Sequence, residues 1–233
     1  MDGKLNVIIC GIHGRMGQAV RRELDNFLEF VFLGGVDAAD SQAFFERMLQ
    51  NASIVIDFSV RDATVKYAEA CSKAGIPFLS GVTGLSDKQH SELRKLSESI
   101  PVFWSPNMSP AVNLVSAISG YMAKKLPSFD VHIHEMHHKA KKDAPSGTAL
   151  GIASSIEKLS SRRPSISSAR LGGITGIHGI VFGGPYETVE ITHRAGSRAL
   201  FASGALLAAK WLVSKKAGYY TYADILDIKE LGF

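Results

Sequence analysis

The stretch LNVIICGIHGRMGQAV, Leu5 to Val20, decides the reading of the fold. Leu5 to Cys10 is apolar at nearly every position, as in a strand covered on both faces. The turn Gly11-Ile12-His13-Gly14-Arg15-Met16-Gly17 follows and opens a helical stretch from Arg15 to Leu28. Glycines there let a pyrophosphate approach the backbone N–H groups at a helix start, where the dipole favours negative charge. The spacing is G-x-x-G-x-x-G, not the commoner G-x-G-x-x-G, and an ordinary strand-to-helix turn could carry the same residues. Asp37 argues for the ligand: it stands 20 residues beyond Gly17 at the end of the next apolar run, where a dinucleotide fold places the carboxylate that receives ribose hydroxyls. A nicotinamide dinucleotide is therefore expected. Asp37 repels a 2′-phosphate, whereas Arg15 could attract one and Ala38 adds no second cation. NADH is favoured, with NADPH tolerated.

Outward from this turn, short β-rich runs alternate with helical ones. Leu5–Cys10, Phe30–Val36, Ser53–Ser59, Pro77–Val82 and Pro101–Ser105 read as strands. Arg15–Leu28, Ala43–Gln50, Asp62–Ala74 and Ser86–Ser99 read as helices between them. That alternation predicts an α/β, Rossmann-like, doubly wound parallel sheet. Two further loops, Gly81-Val82-Thr83-Gly84 and Pro106-Asn107-Met108-Ser109, lie after predicted strands, where open α/β sheets bind ligands, although turn chemistry alone also favours such residues.

Composition narrows the class. With 233 residues and 45% hydrophobic content, the chain can bury a core without staples. Cys10 and Cys71 match no metal spacing and are expected as buried, inert thiols. No apolar run reaches the ~20 residues that a membrane span requires, and the first residues carry no signal-peptide pattern, so a cytoplasmic protein is expected. A net charge of +4 with scattered basic residues makes nucleic acid a poor partner and anionic metabolites a better one.

After Pro110 the texture changes. A helix from Ala111 to Leu126 leads to FDVHIHEMHH, in which Val131, Ile133, Glu135 and His137 alternate with His132, His134, Met136 and His138 as in a strand. His134 to His138 also satisfies H-E-x-x-H, the zinc-peptidase signature, but that reading needs a helix, and the alternation, the lysines and Pro145 oppose one. No metal site is expected. HHKAKKDAPSGTAL, His137 to Leu150, concentrates imidazoles, ammonium groups and a Ser-Gly-Thr turn, with Ser146 as the N-cap of a helix from Ala149 to Leu159. Such a segment can transfer a proton and hold a carboxylate. A capped helix beside solvated lysines is the plainer alternative. Further on, Glu187–Ala195 reads as a strand and Ala199–Lys215 as a helix.

GIHGRMG, IDFS (Ile56–Ser59), GVTG, PNMS, EMHHKAKKDAPSGTA and EITHRAGSR (Glu190–Arg198) together resemble the dihydrodipicolinate reductase family over nearly the whole chain. The resemblance implies reduction of a cyclic, unsaturated dicarboxylate to tetrahydrodipicolinate, in lysine and diaminopimelate biosynthesis. Hydride would come from NADH or NADPH. It implies His137 and Lys141 as proton donors, with His138, Ser146, Gly147, Thr148 and, less directly, Arg198 on the substrate. It assigns the dinucleotide to Gly11, Ile12, His13, Gly14, Arg15, Met16, Asp37, Gly81, Val82, Thr83, Pro106, Asn107, Met108 and Ser109. By the same resemblance, residues 1–110 and 199–233 form the dinucleotide domain, and residues 111–198 an α+β substrate and oligomerisation domain with an open mixed sheet in a homotetramer. The chain is short for the family between Asp37 and Ser53, and lacks a hairpin between Gly173 and Val181. Another Rossmann amino-acid or semialdehyde dehydrogenase would lack the His-His-Lys and Ser-Gly-Thr cluster, and a dinucleotide sensor would need no proton donors.

Overall fold

The computed structural model describes residues 4–231. In chain order the elements are β1 (Leu5–Cys10), α1 (Arg15–Glu23), β2 (Phe30–Val36), α2 (Gln42–Leu49), β3 (Ile54–Asp57), α3 (Arg61–Ala74), β4 (Phe78–Ser80), α4 (Asp87–Leu96) and β5 (Pro101–Trp104). Next come α5 (Pro110–Lys125), β6 (Asp130–His137), α6 (Gly147–Ser160), β7 (Ser165–Arg170), β8 (Ile177–Gly183) and β9 (Thr188–Arg194). The chain ends with α7 (Ala199–Leu212), β10 (Gly218–Tyr220) and α8 (Tyr222–Ile225). Two compact units result among the described residues: residues 4–108 with Ala199–Ile225, and Ser109–Arg198 with residues 226–231.

The first unit is a six-stranded sheet in the order β10-β5-β4-β3-β1-β2, with every neighbour parallel. Val7 to Cys10 and Ile54 to Ile56 are fully buried, which explains their unbroken apolar sequence: helices cover both faces. Strand order reverses at β1, with β2 on one side and β3 on the other, so the carboxyl end of β1 is the topological switch point. α1 ends at Glu23 and a 3₁₀ turn covers Leu24–Asn26, so the helix is shorter than its composition suggests. Cys10 and Cys71 are free and buried, and burial pushes both thiols up, as inert cysteines require.

The second unit is a four-stranded mixed sheet, β7-β6-β8-β9, parallel between β6 and β7 and antiparallel elsewhere. α5 and α6 cover the face that carries Ile133, Ile180 and Phe182, all fully buried. The segment holding H-E-x-x-H is strand, as its alternation predicts, and His134 points to the opposite face from Glu135 and His137. The helix that a zinc-peptidase reading needs does not form. β7, β8 and β10 were not expected as strands. Ser165–Arg170 is rich in serine, and Ile177–Gly183 is broken by His178 and two glycines. Both become strands because β6 pairs with them on either side.

Candidate functional site

Within the first unit, three loops lie at the carboxyl edge of the parallel sheet, after β1, β4 and β5. Gly11 has φ +77°, and a Cβ there would lie 2.6 Å from the Phe58 carbonyl oxygen. A Cβ on Gly17 would lie 2.1 Å from the Gly11 carbonyl oxygen, so α1 can pack on its own turn only with glycine there. The Gly14 N–H closes that turn onto Gly11 O at 3.0 Å. Gly14 then caps α1 with no side-chain bond, and no acid stands in the first turn. A helix start left open and free of negative charge fits a pyrophosphate.

Asp37 sits half-exposed just beyond β2. Its carboxylate accepts the His13 N–H at 3.0 Å and the Ala38 N–H at 3.0 Å, which ties the acid to the glycine turn. Arg15 and His13 are exposed, and Ile12 and Met16 half-buried. Of the second loop, Thr83 is exposed while Val82 is buried and its carbonyl accepts from Trp104 Nε1 at 3.0 Å. In the third, Pro106 is exposed and Asn107 half-buried. Met108 is buried, its carbonyl held by Tyr222 Oη at 2.8 Å. Ser109 begins the second unit and caps α5, accepting from Val112 N at 3.2 Å. Asp57, the acid of the IDFS motif, is fully buried, and burial raises its carboxyl. It accepts from Ser59 N at 2.9 Å and Ser80 Oγ at 3.1 Å, and so braces the ends of β3 and β4.

Within the second unit the alternation of β6 selects the chemistry. Glu135 and His137 lie on the buried face, and their register places Glu135 opposite Ser168 and His178, and His137 opposite Arg170. His137 Nδ1 pairs with Glu135 Oε2. Arg170 grips the same carboxylate with both Nη atoms, at 3.1 Å and 2.9 Å, and the Ser146 N–H reaches Oε1 at 3.2 Å. Burial alone would raise the Glu135 carboxyl, but Arg170, Ser168 and His137 outweigh it and hold it at about 2.

The loop after β6 carries the basic run. Lys141 is half-buried and bonds both oxygens of Asp143, at 2.7 and 2.8 Å, which lowers the Asp143 carboxyl. His138 is half-buried, whereas Lys139 and Lys142 are exposed. Ser146 is the N-cap, and α6 starts at Gly147, two residues before the expected Ala149. Its Oγ receives the Ala149 N–H at 3.2 Å and meets His178 Nε2 at 3.1 Å. Gly147 is exposed, and a Cβ there would meet nothing within 4 Å, so open space lies beside the helix start. Thr148 is half-buried in the same turn.

Burial, helped by the neighbouring His137 and His193, pulls His178 down to about 4 and keeps it neutral at neutral pH. The rings of His137 and His178 lie 5.1 Å apart, and those of His178 and His193 6.2 Å. His193 on β9 thus borders this cluster. Glu135, Arg170 and His178 were not picked out as site residues. The period-two pattern of β6 put Glu135 on the face of His137, but Arg170 and His178 come from strands that only pairing reveals. Arg198 is exposed between β9 and α7 and joins none of the cluster's hydrogen bonds.

Residues 5–108 match the model of the dihydrodipicolinate reductase N-terminus, and residues 111–226 that of its C-terminus. The chain is 36% identical to a protein named 4-hydroxy-tetrahydrodipicolinate reductase from Caldanaerobacter subterraneus, covering 95% of this chain and 98% of that one. It is 33% identical to one of the same name from Methanocorpusculum labreanum, covering 96% and 100%. Among solved structures, a dipicolinate-bound dihydrodipicolinate reductase from Paenisporosarcina sp. TG-14 superposes with TM-score 0.81 at 20% identity, over 96% of this chain and 99% of that one. An aspartate semialdehyde dehydrogenase from Vibrio cholerae superposes with TM-score 0.55 at 10% identity, over 90% and 98%, a likeness of fold alone.

Proposed function

The chain belongs to the dihydrodipicolinate reductase family, and from that premise we propose how its residues carry out the reduction. It is an NAD(P)H-dependent oxidoreductase acting on 4-hydroxy-tetrahydrodipicolinate. The observation that carries the mechanism is the Glu135–His137 pair beside the Lys141 loop and the open start of α6, all within one unit.

A bound reduced nicotinamide supplies hydride to the substrate ring. Loss of the 4-hydroxyl as water leaves the conjugated ring, hydride addition at that carbon builds negative charge through the conjugation, and the neighbouring carbon must then be protonated. His137 delivers that proton as the imidazolium, giving it up from Nε2 and remaining as the neutral Nδ1–H tautomer, because Nδ1 is committed to Glu135. The room at Nε2 exists because Gly176 has no side chain: a Cβ there would lie 3.1 Å away. Lys141 shares proton delivery and faces the anionic substrate, exchanging Asp143 for a substrate carboxylate. Gly147 and Thr148 hold a carboxylate at the helix start, where open space and the positive dipole end coincide. Ser146 shapes this turn, its N–H and Oγ both engaged, while His138 and Arg198 add positive charge around the dicarboxylate.

The glycine turn, the loops at Gly81–Thr83 and Pro106–Ser109 and Asp37 hold the dinucleotide. The Asp37 carboxylate favours NADH over NADPH by repelling a 2′-phosphate. Turnover of NADPH more than about tenfold better than NADH would overturn that preference. We place the enzyme in the cytoplasm as a homotetramer.

The direct test is a coupled assay with dihydrodipicolinate synthase, its substrates and NADH or NADPH, following loss of nicotinamide absorbance. Lys141→Ala should lower kcat by roughly 10²- to 10⁴-fold with dinucleotide affinity unchanged. Wild-type turnover in that variant would remove Lys141 from proton delivery.

A further inference from the structure

Glu135 is only 1% exposed, yet it carries a full charge in the middle of the second unit's buried face. A buried carboxylate persists only when its lone pairs are matched by donors. Here Oε1 receives Arg170 Nη2 at 2.9 Å and Ser146 N at 3.2 Å, and Oε2 receives Arg170 Nη1 at 3.1 Å and the His137 Nδ1–H. Arg170 reaches further. Its Nε donates to the Lys141 carbonyl at 3.3 Å and its Nη2 to the Asp143 carbonyl. One guanidinium thus ties the partner of His137 to the backbone of the loop that carries Lys141.

We propose that Glu135 and Arg170 are positioning residues: Glu135 holds the His137 Nδ1–H, so that the imidazolium gives its Nε2 proton to the substrate and is left as the Nδ1–H tautomer, and Arg170 holds both proton-delivering side chains in one geometry. This rests on the reading of His137 as proton donor. Other charged or titratable groups around His137 are His178 on β8, with His193 beyond it on β9, and Lys141 and Asp143 on the following loop. Because Arg170 already neutralises the Glu135 carboxylate, what Glu135 contributes is orientation and tautomer rather than net charge.

Glu135→Gln tests this sharply. The amide oxygen is required at the Oε1 position, where two fixed donors, Arg170 and Ser146, converge. Its NH₂ then takes the Oε2 position, where the Arg170 Nη1 bond is lost and His137 Nδ1 must become an acceptor, so that the proton of the neutral ring moves to Nε2. Long-range ¹H–¹⁵N NMR of the imidazoles of the full-length enzyme at alkaline pH should find His137 in the Nδ1–H form in the wild type and shifted to Nε2–H in Glu135→Gln. kcat should fall about 10- to 100-fold in Glu135→Gln, while KM and dinucleotide affinity stay within about twofold. Arg170→Lys, which keeps the charge and loses the fork, should lower kcat alike. A wild-type His137 in the Nε2–H form, a measurement that needs no variant, would overturn the proposal. So would wild-type kcat in Glu135→Gln when His137→Gln is impaired, whereas wild-type kcat in His137→Gln would remove the proton-donor reading itself.

Discussion

The charge on Glu135 should make the wild-type protein acid-labile in a way that Glu135→Gln is not. Its carboxyl is held at about 2, against an ordinary value of 4.5. A carboxyl with a depressed folded-state value stabilises the fold above its unfolded value, and that stability is lost as pH falls through the folded one. The difference corresponds to on the order of 3 kcal/mol at neutral pH, nearly all present at pH 5 and about half of it gone by pH 3. The source is specific: the paired guanidinium, the Ser168 hydroxyl and the His137 imidazole outweigh the cost of burial.

Glutamine cannot titrate, so the gap in stability between wild type and Glu135→Gln should be widest at neutral pH and close by about pH 2. Urea titrations followed by far-UV circular dichroism, at several pH values from neutral down to about pH 3, measure the gap directly. Other acid-sensitive carboxylates, such as Asp143, shift both proteins together and cancel in the difference. A gap that stays constant across the series would refute the reasoning, because it would mean that Glu135 is not held ionised below its ordinary range.

Gly176→Ala should lower kcat about 10- to 100-fold with little loss of stability, since its Cβ would lie 3.1 Å from His137 Nε2; steady-state kinetics and a thermal melt decide it, and unchanged kcat would remove Nε2 as the delivering atom. Gly17→Ala, with a Cβ 2.1 Å from the Gly11 oxygen, should weaken NADH binding at least about tenfold, measured by titration calorimetry. Light scattering at micromolar concentration should give a mass four times that of one chain, and a monomer would rule out the tetramer.

The first unit was legible because its signals are local and agree with one another. β1 and β2 begin and end where their apolar runs do, although only β1 is buried, from Val7 to Cys10, while β2 at the sheet edge is mostly half-buried. Distance along the chain alone paired Asp37 with the glycine turn, and its carboxylate accepts the His13 N–H of that turn. In the second unit α5, β6, α6 and β9 were legible, and along β6 period two separated Glu135 and His137 from His134. Arg170 lies in a serine-rich segment and His178 beside glycines, so neither strand carries a pattern of its own; the partner β6 makes them strands.

That difference bears on what the reaction demands. A dinucleotide is held by backbone N–H groups and one carboxylate, which a glycine spacing and an acid can announce from sequence. Proton delivery depends on which imidazole nitrogen is free, and that is decided by a carboxylate whose own charge is stabilised from a different strand. On the proposed mechanism the motif from Glu135 to Ala149 supplies the donors His137 and Lys141, and Arg170 on β7 would fix their geometry, since it holds the Glu135 carboxylate and two carbonyls of the Lys141–Asp143 loop. Losing that one guanidinium would leave every motif residue in place, with a buried carboxylate left to Ser146, Ser168 and His137. The expected consequence is a mispointed His137 and a slackened Lys141 loop, with the dinucleotide half of the protein untouched.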